Sequence, residues 1–386
     1  MKTVFFLAGE ASGDGYGAEI IRALKDQTDI RCIGMGGDKM IESGMERILS
    51  IDGMNVMGFY EVIKKYSFFK KRIQLIKQSI SDNRPDALIS IDYPGFNLRI
   101  SEYAKKIRIP VFHFVAPQVW AWNRRRARSL SKKIDTVFVF HSFEKQFFDL
   151  FVDNVIHIGN PLESMIQSTR DQQAINNSPT YNICIAPGSR ISEIKLLLPV
   201  FVDGIRCFCR QSSNALDRKI RVIISQAPGV CGDADFLAAK QTLETIDQIS
   251  DCSISIDPLE WITANCHCAL IASGTATLVA ALSGCPMIVC YRASWASAAI
   301  GKRVLDIPAF SLVNIVAGNT IVPELDQEKA HPDVISNYLR ELYFKKDVIS
   351  FIESKLCHIR NKNTYHNPIK KATDHILDCL NTLPDT

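Results

Sequence analysis

The sequence of 386 residues contains no apolar run near the roughly 20 residues that a helix needs to cross a bilayer. Its first residues, MKTVFFLAGEASGDG, resemble a signal peptide, because a lysine precedes an apolar run. The apolar run is short, however, and Gly9-Glu10 interrupts it without a cleavage region. We therefore interpret residues 3–8 as a first buried strand and expect a cytoplasmic protein.

The excess of positive over negative charge is also small, since the formal net charge is only +4. That value is too small to favour nucleic-acid binding by the whole chain, and no RNA motif accompanies the basic cluster at 123–133. The twelve cysteines are scattered, mostly in apolar segments, as is typical of reduced buried thiols. The segment NCHCAL, with Cys266 and Cys268, is the only cluster that resembles a metal site, and no matching second pair completes a zinc pattern. We expect neither nucleic acid, nor a metal, nor another cofactor.

Short apolar runs alternate with amphipathic segments in both halves of the chain, a pattern that predicts parallel strands covered on both faces. The predicted strands are 3–8, 31–35, 87–91, 111–115, 136–140, 155–158, 183–186, 221–225, 253–256, 269–272 and 287–290. A polar stretch at 165–182 is the best linker candidate. The sequence thus predicts an α/β protein of two tandem Rossmann-like domains, 1–165 and 166–343, followed by a helical tail at 344–386.

In such sheets, ligands bind in the loops at the carboxyl ends of strands. The first such loop, AGEASGDGYGAEI, lacks the G-x-G-x-x-G spacing of dinucleotide sites. Its acids Glu10 and Asp14 would repel a pyrophosphate. Either this is a tight turn in which Asp14 caps the following helix, or it is the polar wall of a pocket for a hydroxyl-rich substrate.

A second loop, IDYPGFN, places Asp92 directly after a buried strand and before a Pro-Gly turn. The carboxylate can serve the turn itself, by accepting backbone N–H groups. The alternative is a general base, because partial burial at a strand end raises the pKa of a carboxyl group.

Two loops of the second half favour anion binding. In APGSR, Gly188 and Ser189 form a turn and Arg190 stands at the start of a helix, where free N–H groups and a guanidinium suit phosphate. In ASGTATL, Ser273, Gly274 and Thr275 precede another helix. Two such loops suggest a diphosphate site in the second half, with the other substrate and the base in the first half. This arrangement fits a nucleotide-sugar transferase.

Four motifs together resemble the lipid-A-disaccharide synthase family: AGEASGD, IDYPGFN with PQVWAW, PGSR, and SGTATL followed by SLVNIVAG. The motifs occur in the family's order over nearly the whole chain. The resemblance implies a GT-B glycosyltransferase that inverts the anomeric carbon without a metal, with its active site in the cleft between two domains. It implies UDP-2,3-diacylglucosamine as donor and 2,3-diacylglucosamine 1-phosphate as acceptor.

The resemblance also implies roles for single residues. Asp92 matches the essential acid, although the sequence leaves open whether Asp92 or Glu10 is the base. The expected donor-binding residues are Gly188, Ser189, Arg190, Ser273, Gly274, Thr275 and Asn314, and the expected acceptor-binding residues are Ser12, Trp120 and Arg124. One departure is Val279, which stands where the family usually has a glutamate suited to the ribose hydroxyls.

Residues 59–78 interleave bulky apolar side chains with lysine and arginine. They form either an amphipathic helix packed on the core or a helix on an anionic membrane surface. The diacyl substrates favour the second, with Phe68, Phe69, Lys70, Lys71 and Arg72 at the surface of the inner membrane. A homodimer is compatible with the sequence.

Two rival functions remain open. One is another UDP-sugar enzyme of GT-B architecture, such as a 2-epimerase or an N-acetylglucosaminyltransferase; the PQVWAW segment argues against it. The other is a non-catalytic lipid-binding protein, for which Val279 is the only support.

Overall fold

The computed structural model describes residues 1–54, 66–117, 119, 127–162, 166, 171–227, 230, 233–292, 309–362 and 367–382. The chain divides into two compact units. The first consists of Met1–Pro161 and Tyr365–Thr386, and the second of Leu162–Thr364.

The first unit contains a seven-stranded sheet in the order β3-β2-β1-β4-β5-β6-β7, in which all neighbouring strands are parallel. Its strands are β1 (Lys2–Ala8), β2 (Ile30–Gly36), β3 (Glu46–Ser50), β4 (Ala87–Ile91), β5 (Val111–Phe114), β6 (Thr136–Val139) and β7 (Asn154–His157). The helices between them are α1 (Ala11–Lys25), α2 (Asp38–Glu42), α3 (Tyr66–Asn83), α4 (Pro94–Lys106) and α5 (Ser142–Phe148).

Both faces of this sheet are covered, which explains its apolar strands. Along β1, Val4, Phe6 and Ala8 join one hydrophobic cluster, whereas Phe5 and Leu7 join another. Successive side chains of a strand point to opposite faces, so a strand buried on both sides has no polar alternation.

The second unit contains a six-stranded parallel sheet in the order β10-β9-β8-β11-β12-β13. Its strands are β8 (Thr180–Ala186), β9 (Lys219–Ser225), β10 (Ile249–Ser255), β11 (Cys268–Ala272), β12 (Met287–Tyr291) and β13 (Glu324–Asp326). Its helices are α6 (Gln172–Asn176), α7 (Ile191–Ser212), α8 (Asp233–Glu244), α9 (Leu259–Ala264), α10 (Thr275–Ser283), α11 (Leu312–Ala317), α12 (Pro332–Phe344) and α13 (Lys346–Lys362), with a 3₁₀ turn at Gln327–Lys329.

The last helix, α14 (Pro368–Thr382), belongs to the first unit. It packs against α1, and its residues Ile369, Ala372, Ile376 and Leu380 complete one of the two clusters that cover the sheet. The helices of 344–386 are therefore divided between the two units. No helix of the described ranges combines the length and the apolar character needed to span a membrane.

Each sheet has one place where successive strands begin to be added on the opposite side. This switch point lies between β1 and β4 in the first unit and between β8 and β11 in the second. Ligands of open α/β sheets bind outside the carboxyl ends of the strands at such points. The loops after these four strands are the four that the sequence singles out.

The prediction of two Rossmann-like parallel-sheet domains is confirmed. All eleven predicted strands are present, with ends shifted by a few residues. Two edge strands, β3 and β13, were missed. β3 is short and polar (ERILS), and β13 has only three residues, so neither shows the apolar run of a covered strand.

Candidate active site

Glu10 and Asp92 lie together at the switch point of the first unit. Ala8 of β1 is paired with Ile91 of β4, so the two loops leave the sheet side by side. The pKa of Asp92 is raised to about 6, first by burial and then by the negative charge of Glu10. A hydrogen bond between the Glu10 and Asp92 side chains acts in the same direction, while the backbone N–H of Tyr93 lowers this pKa.

The raised pKa of Asp92 bears on the proton transfers that this carboxyl group can make. A carboxyl group whose pKa is about 6 is largely ionised at neutral pH, yet it binds a proton more readily than an ordinary aspartate. Ser12 supports the pair from the same loop, since its Oγ donates to Glu10 Oε1 over 2.5 Å. Ser12 itself is exposed.

The backbone that carries Asp92 is strained. Asp92 has a φ of 46° and Tyr93 a φ of 49°, so two consecutive non-glycine residues adopt the left-handed region. Each such residue costs about 1–3 kcal/mol, and strain of this kind is concentrated at functional sites. The Asp92 N–H donates to the Phe114 carbonyl over 2.8 Å, and the Tyr93 hydroxyl donates to the Met54 carbonyl over 2.7 Å.

Gly9 is required by the same arrangement. A Cβ at position 9 would lie 2.5 Å from two ring carbons of Tyr93. Only glycine lets the Tyr93 ring cover the end of β1 next to Glu10.

Asp14, the other acid of the first loop, serves the fold. It is buried and accepts hydrogen bonds from the backbone N–H groups of Gly37 (2.8 Å), Lys39 (3.2 Å) and Met40 (3.2 Å). It therefore caps the N-terminus of α2, and not that of its own helix α1.

In the second unit, the predicted anion-binding loops follow neighbouring strands. Ala186 of β8 is paired with Ile271 of β11, so the loops at 187–190 and 273–275 lie at one edge of the sheet. Ser189, Arg190 and Thr275 are exposed. Gly188 and Gly274 have φ values of 116° and 145°, which only glycine adopts without strain.

Each of these loops ends at the start of a helix, α7 or α10, whose first N–H groups have no partner within the helix. Among the described residues, no atom lies within 4 Å of a Cβ placed on Gly274. Arg190 Nη1 donates to Glu193 Oε1 over 2.6 Å, and Glu193 stands in the first turn of α7.

Asn314 lies at the N-terminus of α11 and is 1% exposed. Its Oδ1 accepts from the N–H groups of Ile321 (2.8 Å) and Val322 (3.1 Å), and its Nδ2 donates to the Val322 carbonyl (2.9 Å) and Glu324 Oε1 (2.7 Å). Its hydrogen-bonding groups are thus used within the second unit. Contact of Asn314 with the donor stays a prediction.

Glu324, which the sequence did not single out, organises this region. Its carboxylate accepts from the Phe310 N–H (2.9 Å), from the N–H and hydroxyl of Ser311, and from Asn314 Nδ2. Ser273 is tied in through its hydroxyl, which donates to the Phe310 carbonyl over 2.8 Å. Glu324 was missed because it begins β13, and a strand of three residues is too short to be recognised in the sequence.

Trp120 and Arg124 lie outside the described residues. Val279 is in α10 and half-buried. Its side chain offers no hydrogen bond to a ribose, as the sequence already indicated.

The basic helix of the first unit is α3. Phe68 and Phe69 are half-buried and pack against the hydrophobic cluster beneath it, while Lys70 and Lys71 are exposed. Arg72 is held with its guanidinium 4.6 Å from the centre of the Phe68 ring and donates to the carbonyls of Ser50 and Asp52. Both phenylalanines thus pack on the core of the unit and remain partly exposed.

Comparison with known families decides what kind of protein this site belongs to. The family model described as Lipid-A-disaccharide synthetase matches residues 4–376. The chain belongs to the lipid-A-disaccharide synthetase family. Membership of this family of glycosyltransferases confirms the resemblance seen in the four sequence motifs.

Relatives named lipid-A-disaccharide synthase match over almost their full length. That of Rickettsia felis is 34% identical over 365 residues, covering 92% of this chain and 90% of the relative. That of Syntrophus aciditrophicus is 33% identical over 380 residues, covering 94% and 93%.

Solved structures with the same fold have little sequence in common with this member of the family. MnaA of S. aureus, solved with UDP, has a TM-score of 0.66 at 12% identity, covering 100% of this chain and 99% of that one. MurG of Acinetobacter baumannii has a TM-score of 0.60 at 12% identity, covering 99% and 100%. Likeness at this level shows the fold alone.

Proposed function

We propose that the protein transfers 2,3-diacylglucosamine from UDP-2,3-diacylglucosamine to 2,3-diacylglucosamine 1-phosphate. The products are the β-1,6-linked disaccharide 1-phosphate and UDP, with inversion at the anomeric carbon. The observation that carries the proposal is the Glu10–Asp92 pair at the switch point of the first sheet, in a chain of this family.

In the proposed reaction, the acceptor's 6-hydroxyl oxygen attacks the donor's anomeric carbon. The bond from that carbon to the UDP oxygen breaks, and the hydroxyl proton passes to Asp92. Glu10 raises the proton affinity of Asp92 through its charge. Such general-base catalysis contributes about a hundredfold to ten-thousandfold.

The charge that develops on the leaving diphosphate needs positive partners. The N-termini of α7 and α10 and the exposed Arg190 supply them in the second unit. Gly188, Ser189, Gly274 and Thr275 lie in these loops, where backbone N–H groups can approach phosphate closely. Ser12, Trp120 and Arg124 are proposed to bind the acceptor.

The test is incubation of the purified protein with both diacyl sugars. The expected result is equimolar UDP and disaccharide, with a β linkage by NMR. Release of UDP from UDP-N-acetylglucosamine, with the diacyl donor left intact, would instead identify another UDP-sugar enzyme. Binding of the diacyl sugars without turnover would identify a lipid-binding protein.

Association with the cytoplasmic face of the inner membrane is part of the proposal. A groove of about 430 Å³ runs between α3 and α4, with Phe69, Ile73 and Tyr103 among its apolar lining residues. Its charged lining residues are four cations, Lys70, Lys77, Arg99 and Lys106, and one acid, Glu102, which pairs with Lys106 over 3.0 Å. Tyr66, which also lines the groove, is 59% exposed, and Leu75 on the same helix is 56% exposed. Apolar side chains flanked by cations favour binding to an anionic lipid surface. Each cation close to that surface adds about 1 kcal/mol of attraction.

Sedimentation with anionic vesicles tests the membrane proposal. We expect binding at low salt and release at high salt, and weaker binding after Leu75→Ser with Lys70→Gln. Leu150→Ser is the matched control, because Leu150 is 75% exposed on the same unit but far along the sequence from α3. Equal loss in both variants, or wild-type protein that ignores vesicles at low salt, would contradict it.

A further inference from the structure

Asn97 stands in the first turns of α4 and is fully buried. Its Nδ2 lies 2.7 Å from the Asp92 carbonyl, 3.0 Å from the Ile91 carbonyl and 3.4 Å from the Leu7 carbonyl. Carbonyl oxygens only accept, so the amide N–H groups must face all three.

These carbonyls belong to the two chain segments that carry the acidic pair. Ile91 and Asp92 form the exit of β4, and Leu7 lies three residues before Glu10 at the end of β1. One side-chain amide thus connects both sides of the switch point directly beneath the carboxyl groups.

This arrangement leaves one polar atom of Asn97 without a hydrogen bond among the described residues. Asn97 Oδ1 is buried and has no hydrogen-bond partner among the described residues. Buried polar groups are nearly always paired, and an exception next to two left-handed residues is typical of a functional position.

We infer that Asn97 is a positioning residue, which fixes the exits of β1 and β4 relative to each other so that the Glu10 and Asp92 carboxyl groups meet. The inference rests on the proposed role of these two carboxyl groups in sugar transfer. Asn97 itself does not contact the reacting atoms, because it is buried below the turn.

The matched control is Ser101, one turn further along α4. Ser101 is also fully buried, but its hydroxyl donates to a side chain within β4, Ser90 Oγ at 3.5 Å, and not to the carbonyls at the strand exits. Asn97→Ala and Asn97→Ser are compared with Ser101→Ala. Alanine removes all donors, and serine keeps one donor that is too short to span three carbonyls.

For both Asn97 variants we expect kcat to fall about tenfold to a hundredfold, the effect of a displacement of about 1 Å at a reacting group. KM should change little. The acid limb of the kcat/KM profile should move to lower pH, because Asp92 would no longer be held against Glu10. Ser101→Ala should change neither.

A second readout needs no substrate. The carboxyl carbons of aspartate are labelled with ¹³C, and the Asp92 signal is identified by its loss in Asp92→Asn. Its titration midpoint should lie near pH 6 in the wild type and lower in the Asn97 variants. Because this measurement is independent of turnover, it decides on Asn97 even if the diacyl sugars prove not to be substrates.

Wild-type midpoints in both Asn97 variants, or equal kcat losses in Asn97→Ala and Ser101→Ala, would overturn the inference. So would failure of both Asn97 variants to melt cooperatively, since Asn97 would then be a requirement of the fold instead.

Discussion

Arg190, which precedes the first residue of α7, forms an ion pair of 2.6 Å with Glu193 in the first turn of that helix. The Glu193 side chain also lies against the preceding loop, since a Cβ on Gly188 would lie 2.7 Å from Glu193 Oε2. The Glu193 carboxylate therefore lies over the loop. It also pairs with Arg190, the cation that we propose binds the donor diphosphate.

Replacing Arg190 by alanine should weaken UDP binding. A hydrogen bond to a charged group contributes about 1.5–3 kcal/mol, so the Kd should rise about tenfold or more. Isothermal calorimetry measures the change. Arg206→Ala is the matched control, because Arg206 lies on the same helix, is similarly exposed and also pairs with an acid three residues away. An equal Kd in wild type and Arg190→Ala would make the loop merely structural.

Replacing Glu193 by glutamine should have the opposite effect. The variant keeps the shape of the side chain but removes a negative charge that competes with phosphate. Pairs exposed to solvent contribute up to about 1 kcal/mol, so UDP affinity should increase by up to about fivefold. Weaker binding in this variant would show that Glu193 helps to hold the diphosphate site together.

Asp92→Asn keeps the shape of the side chain but cannot accept the acceptor's proton. We expect turnover to fall by at least about a hundredfold, with UDP affinity and the melting temperature close to those of the wild type. Near-normal turnover would move the role of the base to Glu10.

The pH profile separates the roles of the two acids. Asp92 must be ionised to accept a proton, so kcat/KM of the wild type should fall as the pH drops through about 6. Glu10→Gln removes a neighbouring negative charge and thereby lowers the pKa of Asp92. Its acid limb should lie at lower pH, with turnover at neutral pH largely retained. A loss of about a hundredfold at every pH would identify Glu10 as the base.

A buried histidine below the site makes the fold sensitive to acid. His113 is fully buried, with Nδ1 2.6 Å from Ser90 Oγ, and burial lowers its pKa to about 4. The unfolded chain binds this proton already below about pH 6.5, so the native state loses stability as the pH falls from about 6.5 to about 4.

The effect of His113 should reach about 2 kcal/mol between pH 7 and pH 5. Urea unfolding at both pH values measures it. His113→Gln should flatten the dependence by that amount, and His358→Gln, at an exposed position, should leave it unchanged. Parallel pH dependences in wild type and His113→Gln would assign the acid sensitivity to other groups.

The apolar strands and the four loops could be predicted because burial on both faces leaves a direct pattern in the sequence. Three features left no such pattern. The left-handed turn at Asp92 and Tyr93 contains no glycine, so nothing local announces it. Asn97 contacts Leu7 across 90 positions, a distance that no local periodicity reports. The hydrogen bonds of Asn314 to residues 321–324 were not foreseen either, because Glu324 begins a strand of only three residues and Ile321 and Val322 lie in the segment before it.

The return of α14 to the first unit has a consequence for biosynthesis. During translation, domains generally fold as units as they leave the ribosome, the N-terminal one first. Here the first unit cannot complete its core before the second has been synthesised, because residues 368–382 cover part of one face of its sheet. The hydrophobic face of α1 therefore stays open while the ribosome makes the entire second unit. A chain that ends before residue 368 would therefore lack part of the hydrophobic core of the first unit.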